Sequence, residues 1–259
     1  MPEPEPDDAG TPPIPVAGQP DATPRALGDN ELQSQTLESV ASAVHYHEWL
    51  TDLGRPHLGE HPLELGSGLG DYAQRWLDTG TPQITVSDVD PPRLAHLRTR
   101  FADDPRVSVA SIDVLAPPSA DYSSYVAFNV LEHIPDHVAA LRAAHTLLRP
   151  GGRVVMLVPA FQFAMSRFDR AVGHCRRYTV DSLTLAMAAA GLDVLDAHYV
   201  NLPGLPAWVV GMRLLGMTPG EGPLLRVWDG AVIPVARAAE ARHRPPFGQS
   251  VLAVAKVPG

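Results

Sequence analysis

Short apolar segments alternate with longer amphipathic ones along this chain, and this alternation constrains the fold more than any other feature. The apolar segments predict strands at residues 63–66, 84–88, 107–113, 125–129, 153–159, 192–200 and 249–257. The amphipathic segments predict helices at residues 36–53, 71–80, 92–101, 136–148 and 180–191. Strands and helices in alternation demand a mostly parallel sheet with both faces covered. The sequence therefore predicts an α/β fold.

Three segments fall outside the alternation. Residues 1–28 are acidic and proline-rich with few large apolar side chains, which predicts a disordered tail before a single domain at 29–259. Residues 160–178 and 201–248 interrupt the strand order. If the last two strands pair antiparallel, both segments leave the sheet at its carboxyl edge, where open α/β sheets bind ligands. We predict that these two segments are lid insertions facing one cleft.

Composition narrows the classes of function. The net charge is −9, and 19 of the 20 basic residues are arginine, so a general attraction for nucleic acid is not expected. The single cysteine, Cys175, cannot form an internal disulfide. The first residues lack a signal-peptide pattern, and the most apolar stretch, 205–217, is too short to span a bilayer. We expect a cytoplasmic protein without stable membrane insertion.

A glycine-rich turn follows the first predicted strand, in the stretch Glu64–Asp71. Its glycines permit positive φ angles and let backbone amides approach a ligand, although such a turn can also be a plain strand-to-helix junction. Asp88 ends the second strand, where a carboxylate can accept hydrogen bonds from ribose hydroxyls. Asp113 ends the third, where it can accept a bond from an exocyclic amine. Three consecutive strand ends thus carry the residue types that a nucleoside needs.

Glu64 indicates which type of nucleoside cofactor the predicted site binds. A dinucleotide fingerprint places a pyrophosphate at the glycine turn, and a carboxylate two residues before the first glycine would repel it. The same carboxylate is acceptable beside a cation, such as the amino group or the sulfonium of S-adenosylmethionine. The glycine spacing is Gly-x-Gly-x-Gly and not Gly-x-Gly-x-x-Gly, which makes a nicotinamide oxidoreductase a distant alternative.

At this point the sequence resembles the class I S-adenosylmethionine-dependent methyltransferase family, from about Ala43 to Val257. The stretches that carry the resemblance are LELGSGLGDYA, ITVSDVDPPRL, ASIDV, AFNVLEHIPD and LLRPGGRVVMLVP. The resemblance implies a Rossmann-like, mostly parallel seven-stranded sheet with an antiparallel last strand and helices on both faces. It also implies S-adenosylmethionine as cofactor, with contacts from Tyr46, Trp49, Glu64, Gly66, Gly68, Gly70, Asp88, Val89, Asp113, Val114, Asn129 and Leu131.

The resemblance assigns parts of the cofactor to these residues. Glu64 and the glycines hold the methionine part, Asp88 the ribose, and Asp113 with Val114 the adenine. Asn129 and Leu131 lie under the methionine. Tyr46 and Trp49 form a lid over the cofactor.

The loop after the fourth strand supplies a candidate catalytic residue. His133 could take a proton from an acceptor hydroxyl or amine, or it could simply order the loop. His133 and His137 are four residues apart, but Pro135 intervenes and no third ligand is evident. We therefore predict no metal site.

The stretch Phe168–Tyr178 has the pattern FDxxxGHxRRY and resembles a methyltransferase subgroup with this insertion after the fifth strand. One interpretation is structural, with Arg176 or Arg177 paired to Asp169 to hold the insertion in place. The other is a site for a carboxylate or phosphate, because arginine matches both geometries. In that interpretation Asp169 is a base or cation stabiliser, and the substrate contacts are His174, Arg176, Arg177, Tyr178 and Trp208.

The apolar side chains of 201–248 leave their role open. Trp208, Met212 and Leu215 fall on one face of a predicted helix. This face could be part of the core, a homodimer contact or a wall of the substrate site.

Together these features predict methyl transfer to a small-molecule acceptor bearing a carboxylate or phosphate. Candidate acceptors are a secondary metabolite, a prenyl diphosphate or a lipid-linked intermediate. The alternative is a non-catalytic S-adenosylmethionine-binding partner or regulatory protein.

Overall fold

A computed structural model of the protein describes residues 28–29, 31–34, 42–218, 220 and 222–259. The predicted disordered tail lies outside the described residues, except for Gly28. The beginning of the first predicted helix, residues 36–41, lies outside them too. Helix α1 is described from Val44 to Gly54.

Seven strands form one sheet in the order β3-β2-β1-β4-β5-β7-β6. Their bounds are β1 Pro62–Leu65, β2 Ile84–Ser87, β3 Val107–Ala110, β4 Tyr122–Phe128, β5 Leu148–Pro159, β6 Asp193–Val200 and β7 Ser250–Lys256. The first five strands pair in parallel, and β7 is antiparallel to both β5 and β6. The predicted seven-stranded, mostly parallel sheet with an antiparallel last strand is confirmed.

The helices that follow α1 are α2 Asp71–Asp78, α3 Pro91–Arg100, α4 His137–Arg142, α5 Ala144–Leu147, α6 Arg167–Ala171, α7 Val180–Ala189, α8 Gly204–Trp208, α9 Pro223–Val227 and α10 Ile233–Glu240. The helix predicted at 136–148 is divided in two at Ala143, after which β5 begins at Leu148. No described helix is both long enough and apolar enough to cross a membrane.

The sheet is covered on both faces, as its sequence pattern requires. Along β4, Tyr125 and Ala127 face a core that includes side chains of α4, α5 and α7. Val126 and Phe128, which alternate with them, face a second core that includes α1, α2, α3 and α10. Because successive side chains of a strand point to opposite faces, two buried faces give a nearly continuous apolar run.

Two carboxylates fix the position of the segment 201–248, which contains helices α8, α9 and α10. Asp229 accepts hydrogen bonds from the backbone N–H groups of His45 (3.0 Å) and Tyr46 (2.9 Å), at the start of α1. Glu240 accepts from the backbone N–H groups of Asn201 and Leu202 at the end of β6. The Asp229 bonds hold the middle of the segment to α1, and the Glu240 bonds hold the end of α10 to the residues that follow β6.

Part of that segment differs from its prediction. A π-helix at Val209–Leu214 follows α8, so the spacing of the side chains is no longer that of an α-helix. Trp208 is half-buried, whereas Leu215 is 69% exposed. The two side chains therefore do not share one buried face.

Candidate functional site

The glycine turn between β1 and α2 has the backbone shape that the sequence predicts. Gly66, Gly68 and Gly70 have φ angles of +67°, +56° and +84°. A Cβ atom at Gly66 would lie 2.5 Å from Val130 Cγ2, and one at Gly70 would lie 2.7 Å from the Phe101 ring. Both conformation and space require glycine here.

Glu64 is buried at the end of β1, directly before this turn. Its exposed fraction is 4%, and its Oε2 atom has no hydrogen-bond partner among the described residues. Burial raises the pKa of Glu64 to about 8. A buried carboxylate oxygen without a partner is unfavourable unless a ligand supplies a donor or a positive charge. The site therefore fits the cationic part of S-adenosylmethionine.

Asp88 ties the end of β2 to the glycine turn. Its carboxylate accepts hydrogen bonds from the backbone N–H groups of Gly68 (3.1 Å) and Asp90 (2.9 Å). Burial raises the pKa of Asp88. A carboxylate has about four acceptor positions. Acceptor positions on Asp88 are therefore left for the two hydroxyls of a ribose. Val89, the next residue, is half-buried.

The next two strand ends carry the remaining predicted cofactor residues. Asp113 is half-buried and accepts a bond from the backbone N–H of Leu115 (2.8 Å), and Val114 is buried. Asn129 is exposed with a φ angle of +55°, and Leu131 is buried. Val130, between these two, is the residue that contacts Gly66. The loop after β4 therefore packs directly on the glycine turn.

The two side chains of the predicted lid lie on α1 in different surroundings. Tyr46 is half-buried, and burial raises its pKa to about 12. Trp49 is buried in the core with Trp76 of α2. Most of the Trp49 surface is thus used in packing.

A segment that sequence analysis did not consider also lies beside this region. The backbone N–H of Asp29 donates to the Ala171 carbonyl (2.9 Å), and Gln33 Nε2 donates to the Val172 carbonyl (2.7 Å). Arg93, at the start of α3, donates to Gln33 Oε1 (3.0 Å). Residues 29 and 33 therefore connect α3 with the insertion at 160–178. These residues have no regular apolar pattern, so the sequence gave no signal for this contact.

Asp169 and Arg177 form a buried ion pair inside the insertion at 160–178. Arg177 Nη2 lies 2.8 Å from Asp169 Oδ1, and Arg177 Nε also donates to that oxygen (3.2 Å). Ser166 donates to Asp169 Oδ2 through its backbone and its hydroxyl. Burial alone would raise the pKa of Asp169, but the contacts with His174 and Arg177 hold it well below its usual range. This is the pairing that the structural interpretation of the motif describes.

The other predicted substrate residues of the motif are also engaged within the protein. Arg176 donates to the carbonyls of Ile134 (2.6 Å) and Pro135 (2.7 Å). The buried Tyr178 hydroxyl lies 2.9 Å from His137 Nδ1. The Trp208 ring lies 4.7 Å from the Arg177 guanidinium, and its Nε1 donates to the Ala164 carbonyl. To bind an anion, Arg177 would have to give up its pairing with Asp169, whereas Arg176 already has two of its N–H groups on carbonyls.

A cavity of about 400 Å³ lies next to this network, and its size is that of a small-molecule site. It is lined by residues of both insertions, namely Gln162, Phe163, Met165, Arg170, His174, Cys175 and Arg213. The backbone N–H of Cys175 donates to the Glu132 carbonyl (2.8 Å), in the loop that also contacts Gly66. That loop therefore joins the cavity to the glycine turn. Of the lining residues, only His174 was predicted as a site residue. Both insertions were predicted to face one cleft, but no local pattern shows which of their side chains reach it.

Comparisons with known proteins agree with this geometry. A family described as "Methyltransferase domain" matches residues 38–197. The chain is 29% identical over 160 residues to a ubiquinone biosynthesis O-methyltransferase of Methylocella silvestris, covering 55% of this chain and 61% of that protein. It is 32% identical over 157 residues to a ubiquinone/menaquinone biosynthesis C-methyltransferase of Paracoccus denitrificans, covering 54% and 59%. The chain thus spans about 60% of the length of these curated relatives.

A solved structure shows the same fold at low sequence identity. It is the phosphoethanolamine N-methyltransferase 2 of Haemonchus contortus in complex with S-adenosyl-L-methionine. The TM-score is 0.58 with 14% identity, covering 88% of this chain and 60% of the other.

Proposed function

Because this chain belongs to the methyltransferase-domain family, whose cofactor is S-adenosylmethionine, we propose that it transfers a methyl group to a small-molecule acceptor. The acceptor carries a carboxylate or a phosphate. When bound, S-adenosylmethionine supplies an electrophilic methyl group on a positively charged sulfur. The observation that carries the proposal is the loop after β4, which contacts the glycine turn on one side and the acceptor cavity on the other.

The residues present fit the cofactor. Glu64 has a buried oxygen without a partner for a cationic group, and Gly66 leaves the space that a Cβ atom would fill. Asp88 keeps acceptor positions for a ribose. We propose that the other predicted contacts act as the family resemblance implies, with Asp113 and Val114 at the adenine.

The protein contributes mainly alignment and exclusion of water. A reacting atom held in line with the methyl group gains from orientation, and a closed site keeps water away from a reactive methyl group. The two insertions contact each other through Trp208 and Ala164, and together they wall the cavity. The insertions therefore provide the enclosure that this chemistry needs.

We propose that the acidic group of the acceptor meets Arg170 and Arg213. Both line the cavity, and Arg170 also donates from Nη1 to the Ser166 carbonyl (3.1 Å). Arg176 and Arg177 are not among the lining residues, and Arg177 is paired with Asp169. Arginine binds carboxylates and phosphates equally well by its planar fork of donors. This proposal keeps the acceptor chemistry predicted from the motif and moves it to other arginines.

The roles proposed for His133 and Asp169 are constrained by their surroundings. Burial lowers the pKa of His133 to about 3, which makes it a weak base. The Asp169 carboxylate is held by Arg177 and Ser166, which suits a residue that positions its neighbours. His174 is the imidazole that lines the cavity, so we place it next to the acceptor.

We further propose a cytoplasmic protein of secondary metabolism that forms a homodimer through residues 201–248. Apolar side chains in this segment are exposed, including Val210, Leu214, Leu215, Leu224 and Val227. Exposed apolar patches of this kind are typical of protein contacts.

Methyl-labelled S-adenosylmethionine offered with a panel of acceptors tests the function. The panel contains aromatic carboxylic acids, prenyl diphosphates and phosphorylated glycolipids. We expect label in an acidic acceptor, and we expect Arg170→Gln and Arg213→Gln each to raise its KM about tenfold, since one charged hydrogen bond contributes about 1.5–3 kcal/mol. Cofactor affinity should not change.

The matched control is Arg226→Gln, because Arg226 is exposed in the same insertion and does not line the cavity. Cofactor binding without label in any acceptor, in a protein that is purified with a stable partner, would instead support the non-catalytic function.

A further inference from the structure

Three side chains with metal-ligating atoms meet at the wall of the acceptor cavity. The ligand atoms of Glu132, His133 and His174 all lie within 4.8 Å of one another. Glu132 Oε1 is 3.8 Å from His174 Nε2, and the rings of His133 and His174 are 4.6 Å apart, edge to face. Residues 132 and 133 follow β4, and residue 174 comes from the insertion after β5. The fold thus brings together groups that are 41 residues apart in the sequence.

Glu132 contributes a buried carboxylate to this cluster. Its side chain is 0% exposed, and neither carboxylate oxygen has a hydrogen-bond partner among the described residues. A buried carboxylate without donors is costly in a folded protein, and a bound cation removes that cost.

The two imidazoles of the cluster are placed where they can act as metal ligands. His133 is half-buried, and its ring meets the His174 ring edge to face. Imidazole binds metals in its neutral form. His174 Nδ1 lies 2.8 Å from Asp169 Oδ1, while Nε2 is on the side of Glu132. A carboxylate behind a histidine is the usual outer support of a metal ligand, because it fixes the orientation of the ring. Asp169 is itself fixed by Arg177.

We propose that Glu132, His133 and His174 form a binding site for a divalent transition-metal cation, with Zn²⁺ as the best match. Two imidazoles and one carboxylate suit zinc and its neighbours, whereas Mg²⁺ and Ca²⁺ prefer oxygen ligands alone. With zinc–ligand distances of about 2.0–2.2 Å, ligand atoms of a tetrahedral site are about 3.4 Å apart. The 3.8 Å separation of the Glu132 and His174 atoms is close to this value.

The proposed site has a consequence for the cavity. Three protein ligands leave a coordination position open, as in catalytic zinc sites. His174 belongs both to the cluster and to the cavity wall, so the cation lies beside the acceptor. This inference goes beyond the proposed methyl transfer, and the binding of a metal ion does not depend on methyl transfer.

The prediction of no metal site considered a different pair. It paired His133 with His137, but the His137 ring contacts the Tyr178 hydroxyl. The side chains that cluster with His133 are Glu132 and His174. Sequence spacing could not show this, because the contact between the two loops is formed only in the folded protein.

The test is a titration of the full chain, freed of metal by a chelator, with Co²⁺ as a spectroscopic substitute for Zn²⁺. We expect a saturable visible absorption band at one equivalent, abolished when Zn²⁺ is added. Glu132→Gln, His133→Ala and His174→Ala should each weaken Co²⁺ affinity at least tenfold. His137 and Cys175 lie near the cluster but are not part of it. His137→Ala and Cys175→Ser should therefore bind Co²⁺ with the affinity of the unchanged protein.

Glu132→Gln keeps the shape of the side chain, so it remains informative if either alanine variant unfolds. The proposal is overturned if the unchanged protein gives no band and retains no Zn²⁺. It is also overturned if Glu132→Gln binds Co²⁺ with unchanged affinity, or if only Cys175→Ser weakens binding. Neither cofactor nor acceptor is present in this titration, so its failure is distinguishable from a failure of the proposed methyl transfer.

Discussion

Replacing Asp169 by alanine is expected to lower the free energy of unfolding by about 3–5 kcal/mol, because it removes one partner of a buried ion pair. Arg177 would keep its charge in the interior, where Asp169 Oδ1 now neutralises it. Ser166 would lose the acceptor of two hydrogen bonds at the start of α6. Chemical denaturation followed by circular dichroism measures the change.

Asp103→Ala is the matched control for this variant. Asp103 is an exposed aspartate on the loop before β3, and its replacement should change stability by less than about 0.5 kcal/mol. An equal, small effect of the two variants would show that the Asp169–Arg177 pair does not hold the insertion in place.

Replacing Glu64 by glutamine is expected to stabilise the protein without cofactor and to weaken cofactor binding. Burial raises the pKa of Glu64 to about 8 from an ordinary value near 4.5, so the folded protein keeps a proton that the unfolded chain releases. Stability therefore falls as the pH rises between these two values, by a few kcal/mol at about 1.4 kcal/mol per pKa unit. Glutamine removes this loss, so the variant should be more stable above about pH 8.

The same substitution prevents a carboxylate from forming opposite the cationic part of the cofactor. Affinity for S-adenosylmethionine should fall at least tenfold, since a charged hydrogen bond contributes about 1.5–3 kcal/mol. Glu60→Gln is the control, because the Glu60 side chain is 72% exposed. A Glu64→Gln variant that binds the cofactor normally, or that is no more stable at high pH, would contradict the role given to this carboxylate.

The sheet could be predicted from the sequence because its signals are local. Most strands contain a short apolar run, and each glycine of the turn at Gly66–Gly70 marks a positive φ angle. The Asp169–Arg177 pair was also foreseen as one of two interpretations, since eight residues separate the partners. Local patterns thus gave the scaffold and one internal contact.

The parts that could not be predicted depend on contacts between distant segments. Asp229 holds the start of α1 from a position 184 residues away. Arg213 reaches the cavity from the second insertion, and His174 meets Glu132 across two loops. Nothing in the local sequence marks such partners, because they are selected by how the insertions pack on the sheet edge.

The most direct measurement of the central claim is calorimetric titration of the whole chain with S-adenosylhomocysteine. We predict one binding event per chain, weakened by about 1–3 kcal/mol in Asp88→Ala, whose carboxylate is expected to hold the ribose. A folded protein that releases no heat on titration, and whose thermal unfolding is unaffected by the ligand, would contradict the assignment of the glycine turn and its carboxylates to this cofactor.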